Sequence, residues 1–81
     1  MGKEEILNIL DRNPRLCGRE LAEELNQQLS VISKHLNQLI NSKEIQALFP
    51  TEKELERIMK NFPNSVKKAK YKLKVYEVKY K

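Results

Sequence analysis

The chain has 81 residues, 33% of them charged and 40% hydrophobic, with a net charge of +5, two glycines and one cysteine. That length makes one small domain, read as a single unit over 1–81, with a modest core. One cysteine excludes a disulfide framework and a cysteine-based metal site, and no apolar run approaches the roughly 20 residues that span a bilayer.

The N-terminus, Met-Gly-Lys-Glu-Glu, lacks an apolar signal region, so the sequence reads as cytoplasmic, with no membrane partner. Residues 3–12 form the first predicted helix, with Ile6, Leu7, Ile9 and Leu10 inward. Asn13-Pro14 stops it, because proline disfavours helical geometry at the preceding residue. Arg15-Leu16-Cys17 reads as short and extended. A second helix begins after Cys17, which takes the N-cap position with Glu20 three residues on, the spacing of a capping box. Leu21, Ala22 and Leu25 line its apolar face.

The third helix is predicted from about Gln28 to Asn41, with Leu29, Ile32, Leu36 and Leu39 at helical period and Ile40 beside them. Only a few polar residues separate its apolar stripe from that of the second helix. So short a link suits a crossed pair, the helix-turn-helix. The run Leu21-Ala22-Glu23-Glu24-Leu25, the turn, Ser30, Ser33-Lys34-His35-Leu36 and Ile45 resemble the helix-turn-helix of winged-helix transcription regulators of the ArsR and MarR type. The resemblance implies an α+β fold: a three-helix core plus a small antiparallel β wing, with a strand stub near residues 15–17 pairing with that wing. It implies double-stranded DNA as partner and leaves effector and operator open.

Residues 44–49 alternate enough for a strand. A simple wing would then turn within a few residues. Here Thr51 and Glu54 make a capping box and Leu55, Ile58, Met59 and Phe62 follow at helical spacing, so an inserted fourth helix is predicted over about 51–61, stopped before Pro63. Asn64-Ser65 reads as a turn and Lys70 to Lys79 as a long strand. On that strand Tyr71, Leu73 and Val75 share one face, and Tyr76, Val78 and Tyr80 the other. The adjacent Val75 and Tyr76 point to a bulge or to burial on both faces.

On a helical wheel, Ser30, Val31, Lys34, Asn37, Gln38 and Asn41 lie opposite the core stripe of the third helix. That face carries no acid, in contrast to the acid-rich first two helices. Amides and hydroxyls read base edges, lysine meets phosphate or guanine, and an aliphatic side chain meets a thymine methyl. Ser33 belongs to the block that carries the resemblance. Gln27 and Gln28, at the N-terminal end of this helix, are candidates for adenine. Arg19, in the first turn of the second helix, is a candidate phosphate contact.

Residues 1–50 carry a net charge of −1, and residues 63–81 carry seven lysines against Glu77 alone. Such a localised lysine stripe is the footprint of polyanion binding. Lys67, Lys68, Lys70 and Lys72, with Lys74, are the expected backbone contacts of the wing. His35 reads as structural or phosphate-contacting, and Cys17 as a half-buried cap substitute or a redox sensor. No ligand set for zinc, phosphate loop or catalytic constellation is present. The chain is therefore expected to use no cofactor and to be no enzyme.

The expected function is a dimeric, sequence-specific repressor, with Leu55, Ile58, Met59 and Phe62 as its homodimer interface. The alternatives are a winged-helix protein-interaction module of transcription or RNA machinery docking through the inserted helix, and RNA binding through the basic strand.

Overall fold

The computed structural model describes residues 2–69 and 73–79. The element order is α1 (Gly2–Arg12), β1 (Leu16–Cys17), α2 (Gly18–Leu25), α3 (Leu29–Asn41), β2 (Ile45–Leu48), α4 (Glu52–Asn61), α5 (Pro63–Ala69) and β3 (Val75–Val78). The strands form one antiparallel sheet in the order β1-β3-β2. This is the α+β winged-helix arrangement, and the strand stub pairs with the wing as expected, Leu16 opposite Tyr76 and Cys17 opposite Val75.

Local chemistry sets the boundaries. Glu20 accepts a hydrogen bond from the Cys17 amide (3.0 Å) and so completes its half of a capping box. Asn26 ends α2 in the left-handed conformation (φ 53°), its N–H shared between the carbonyls of Ala22 and Glu23. After glycine, asparagine is the usual choice for that conformation. Lys43 (φ 63°) makes the corresponding reversal between α3 and β2.

Two apolar clusters lie on opposite faces of the sheet. The larger joins α1, α2 and α3 through Ile6, Leu10, Leu21, Ile32, Leu36 and Leu39, and takes Ile45, Leu16, Tyr76 and Val78 from the sheet. The second consists of Cys17, Ile58, Val66 and Val75, with Leu48 and Leu73 packed against it. Consecutive strand residues point to opposite faces. Leu16 and Cys17 on β1, and Val75 and Tyr76 on β3, therefore feed different clusters. The adjacent Val75 and Tyr76 thus reflect burial on both faces of a central strand.

Several expectations are corrected. Asn64 and Ser65 are not a turn but lie in α5, so two helices are inserted between β2 and β3. Pro63 opens this helix: at the first helical position its missing N–H costs nothing and its fixed φ is already helical. Among the described residues of the predicted long strand only Val75–Val78 is strand, with Leu73, Lys74 and Lys79 outside it, and Lys67 rides on α5. Tyr71, Tyr80, Lys70, Lys72 and the side chain of Lys68 lie outside the described residues.

Ile58 is 0% exposed within the single chain. It fills the second cluster and is therefore not a dimer contact, because its surface is already spent against Val66, Val75 and Cys17. Burying such a side chain contributes roughly 1.5–3 kcal/mol. Of the proposed interface, Met59 is exposed, while Leu55 and Phe62 are partly covered.

Candidate nucleic-acid interface

Ile32, Leu36 and Leu39 seat α3 against the core, and this fixes which side it turns outward. Ser30, Val31, Ser33, Lys34, Asn37, Gln38 and Asn41 are all exposed, and no described acid lies on α3. Leu29, expected in the core stripe, is 40% exposed, and Val31 is 41% exposed. The first turn of α3 thus offers two aliphatic groups among hydroxyls and amides, a surface able to meet thymine methyls and adenine edges. Gln27 and Gln28 are exposed beside it, with Gln28 at the N-cap in extended backbone conformation.

His35 is not part of that surface. Its ring sits so close to Gly2 that a Cβ there would lie 2.5 Å from Nε2, and its buried Nδ1 has no hydrogen-bond partner among the described residues. The imidazole therefore packs α3 against the start of α1, which only glycine permits at this distance.

Gly18 opens α2 so near α3 that a Cβ placed there would lie 3.5 Å from the side chains of Leu29 and Leu36, so the N-termini of α2 and α3 are neighbours. The exposed Arg19 lies beside them, its guanidinium 5.6 Å from the centre of the Phe62 ring. This cation–π contact ties the end of α4 to the start of α2 and holds the arginine at the two helix N-termini. Phe62, expected at a dimer interface, has this intramolecular partner.

A reciprocal pair of ion bridges docks α4. Arg15 forks Glu54 (Nε–Oε2 2.6 Å, Nη2–Oε1 3.0 Å), and Arg57 forks Glu20 (Nε–Oε2 2.9 Å, Nη2–Oε1 2.8 Å) while also donating to the Arg15 carbonyl. Each glutamate also accepts from the N-cap amide of its own helix, Thr51 for Glu54 and Cys17 for Glu20. One carboxylate thus caps a helix and ties it to another element, in bidentate geometry. The Arg15 guanidinium, helped by the Thr51 cap, holds the Glu54 carboxyl down at about 2. Glu54 in turn raises the Arg15 pKa. Arg15 itself adopts φ 67°, an uncommon conformation for a residue with a Cβ.

Cys17 is buried, and that burial pushes its thiol pKa up. A protonated, inaccessible thiol suits a core residue and not a redox sensor. Among the described residues no cluster of histidine, cysteine and carboxylate can hold a metal ion. No described helix is long and apolar enough to cross a membrane.

Lys67 is exposed on α5, and Lys74 lies just before β3 with its Nζ 3.7 Å from the centre of the Phe49 ring. Phe49, at 70% exposure, escaped the sequence reading, where it passed as the last residue of an alternating strand. The only signal for it is the run Ala47-Leu48-Phe49, which places apolar residues on both faces of a strand end. The fold therefore gathers Arg19, Gln28, Ser30 and Val31 at adjoining helix starts, with the other α3 candidates on one continuous exposed face.

A family model described as winged helix-turn-helix DNA-binding matches residues 3–42. No curated protein and no solved structure matches the chain significantly.

Proposed function

Since residues 3–42 match the family model of winged helix-turn-helix DNA-binding domains, we propose that this protein is a sequence-specific transcription regulator that binds duplex DNA through α3. The observation that carries the reading is the outward face of α3. It is wholly exposed, free of acids among described residues, and built of hydroxyls, amides, one lysine and two aliphatic groups. In the helix-turn-helix docking mode, the start of the second helix of the motif approaches base edges while the first crosses the backbone. Here Gln27, Gln28, Ser30, Val31, Ser33, Lys34, Asn37 and Gln38 read or line the major groove. Arg19 meets a phosphate beside the N-terminus of α2, where the positive end of the helix dipole favours an anion.

The lysines of residues 63–81 supply the sequence-independent attraction that the slightly acidic first fifty residues lack. We further propose that the protein acts as a repressor without enzymatic activity or cofactor, and binds as a homodimer on paired half-sites. For a second copy α4 offers Met59, 47% exposed, and the half-buried Leu55. The interaction-module alternative loses the residue at the centre of its docking stripe, because Ile58 is buried in the second cluster.

Selection of random duplexes at physiological salt tests the proposal. A recovered consensus that scrambled duplexes do not compete supports it. Binding that shows no sequence preference overturns the regulator reading.

A further inference from the structure

We propose that Phe49 and Lys74 form a minor-groove wedge: the Phe49 ring enters a base step beside the α3 site and bends the duplex, while the Lys74 ammonium pairs with the adjoining phosphate. The inference rests on the DNA-binding reading above and adds a second contact, distinct from the α3 face.

The placement comes from the sheet register. Leu48, Val75 and Cys17 lie in one row across β2, β3 and β1. The next row at that end holds Phe49 after β2, Lys74 before β3 and Gly18 after β1. Gly18 is the start of α2, next to Arg19, and a Cβ placed on it would meet the side chain of Leu29, the first residue of α3, at 3.5 Å. The ring therefore stands at the same end of the sheet as the two helix N-termini that approach DNA in this motif.

Phe49 is the most exposed of the large apolar side chains described, and its neighbour across the strands is a cation and not an apolar partner. An aromatic ring with an ammonium against it matches a polyanion with stackable bases better than an apolar protein surface. The base that holds the ring is firm. Phe49 continues directly from β2, its carbonyl lies 3.5 Å from Arg15 Nη2, and Pro50 and the Thr51 cap lead at once into α4. A simple hairpin tip would present the same ring on a mobile turn.

Apolar side chains that enter the minor groove unstack one step and kink the duplex, and pyrimidine–purine steps such as TA yield most easily. A wedge at this position therefore adds a preference for such a step outside the bases that α3 touches. The lysine beside it contributes position and not sequence.

The test uses the tightest duplex recovered from a random-sequence selection with the whole chain, labelled at its two ends with a donor and an acceptor. The proposal expects wild-type protein to bend this duplex, and Phe49→Ala to abolish most of the bend with about a tenfold loss of affinity. Phe49→Lys, which keeps a surface side chain and adds a charge, should bind more tightly than Phe49→Ala and still fail to bend. Repeating the selection with Phe49→Ala should retain the α3 consensus and lose the flanking pyrimidine–purine step. Equal bends and identical flanks for wild type and Phe49→Ala overturn the wedge and leave the α3 reading intact. A change in self-association with no change in bend assigns the ring to a protein contact and also overturns it. Failure of wild type to select any sequence overturns the DNA-binding reading itself.

Discussion

Replacing Ile58 separates a side chain that holds the domain together from one that holds two copies together. Ile58 is wholly buried among Cys17, Val66 and Val75. Buried Ile→Ala changes cost about 2–5 kcal/mol, the spread reflecting how far the surroundings collapse into the space. Here one wall is α5, only seven residues long, a short element that can relax toward the space left. The lower half of the range, about 2–3 kcal/mol, is therefore expected for Ile58→Ala. An 81-residue chain has a total stability of roughly 4–12 kcal/mol, so this loss is a large share. At about 4–8 °C per kcal/mol it lowers the melting temperature by roughly 10–20 °C. Thermal unfolding followed by circular dichroism, at about 5 and about 200 µM protein, is the assay, because only an intermolecular contact makes melting depend strongly on concentration. Ile58→Glu should fare worse, since it buries a carboxylate with no cation in the cluster. The reasoning is refuted if Ile58→Ala melts within about 3 °C of wild type while removing a concentration dependence that wild type shows.

Glu54→Gln should destabilise the protein by about 1–2 kcal/mol near neutral pH, after allowing for the partly exposed Arg15. The folded-state pKa of Glu54 lies below the ordinary value, so its contribution is present above about 4.5 and fades as pH falls toward about 2. Urea titrations across that window should show the two proteins converging, and a gap that stays constant would contradict the bridge. Asn26→Gly should leave stability within about 0.5 kcal/mol of wild type and Asn26→Val should lower it by more than about 1 kcal/mol, because the residue is left-handed. Equal melting temperatures for the two variants would count against that turn. Replacing Lys68, Lys70 and Lys72 together with alanine should flatten the log–log salt dependence of DNA binding by about three units per subunit, with similar losses on cognate and scrambled duplexes. An unchanged slope would remove these lysines from the interface.

The larger cluster was legible because Ile6, Ile9 and Leu10 on α1, and Ile32, Leu36 and Leu39 on α3, repeat at the helical period and need no partner information. The Leu55, Ile58, Met59 stripe told equally well that α4 buries a face, but periodicity does not say against what. Its partners Cys17 and Val75 are 41 and 17 residues away in sequence. The Arg15–Glu54 and Glu20–Arg57 forks are just as distant, and each glutamate is fully explained locally as a capping residue. Pro63 was read only as the stop of α4, which does end before it; that the same residue also opens α5 was missed, since proline suits both roles. For the candidate interface, the wheel of α3 placed every polar candidate outward as the fold has it. It misjudged Leu29, whose period fits the stripe but whose position at the first turn leaves it beyond the edge of the core. Phe49 carried no periodic sign of its exposure, which follows from the strand ending beneath it.

The central claim is that the outward face of α3 reads sequence, and the most direct measurement is the affinity ratio between the selected duplex and its scrambled counterpart. The account predicts that Gln38→Ala and Ser30→Ala each shrink that ratio by about five- to a hundredfold, with binding to the scrambled duplex and melting temperature nearly unchanged. Ratios equal to wild type in both variants would contradict it.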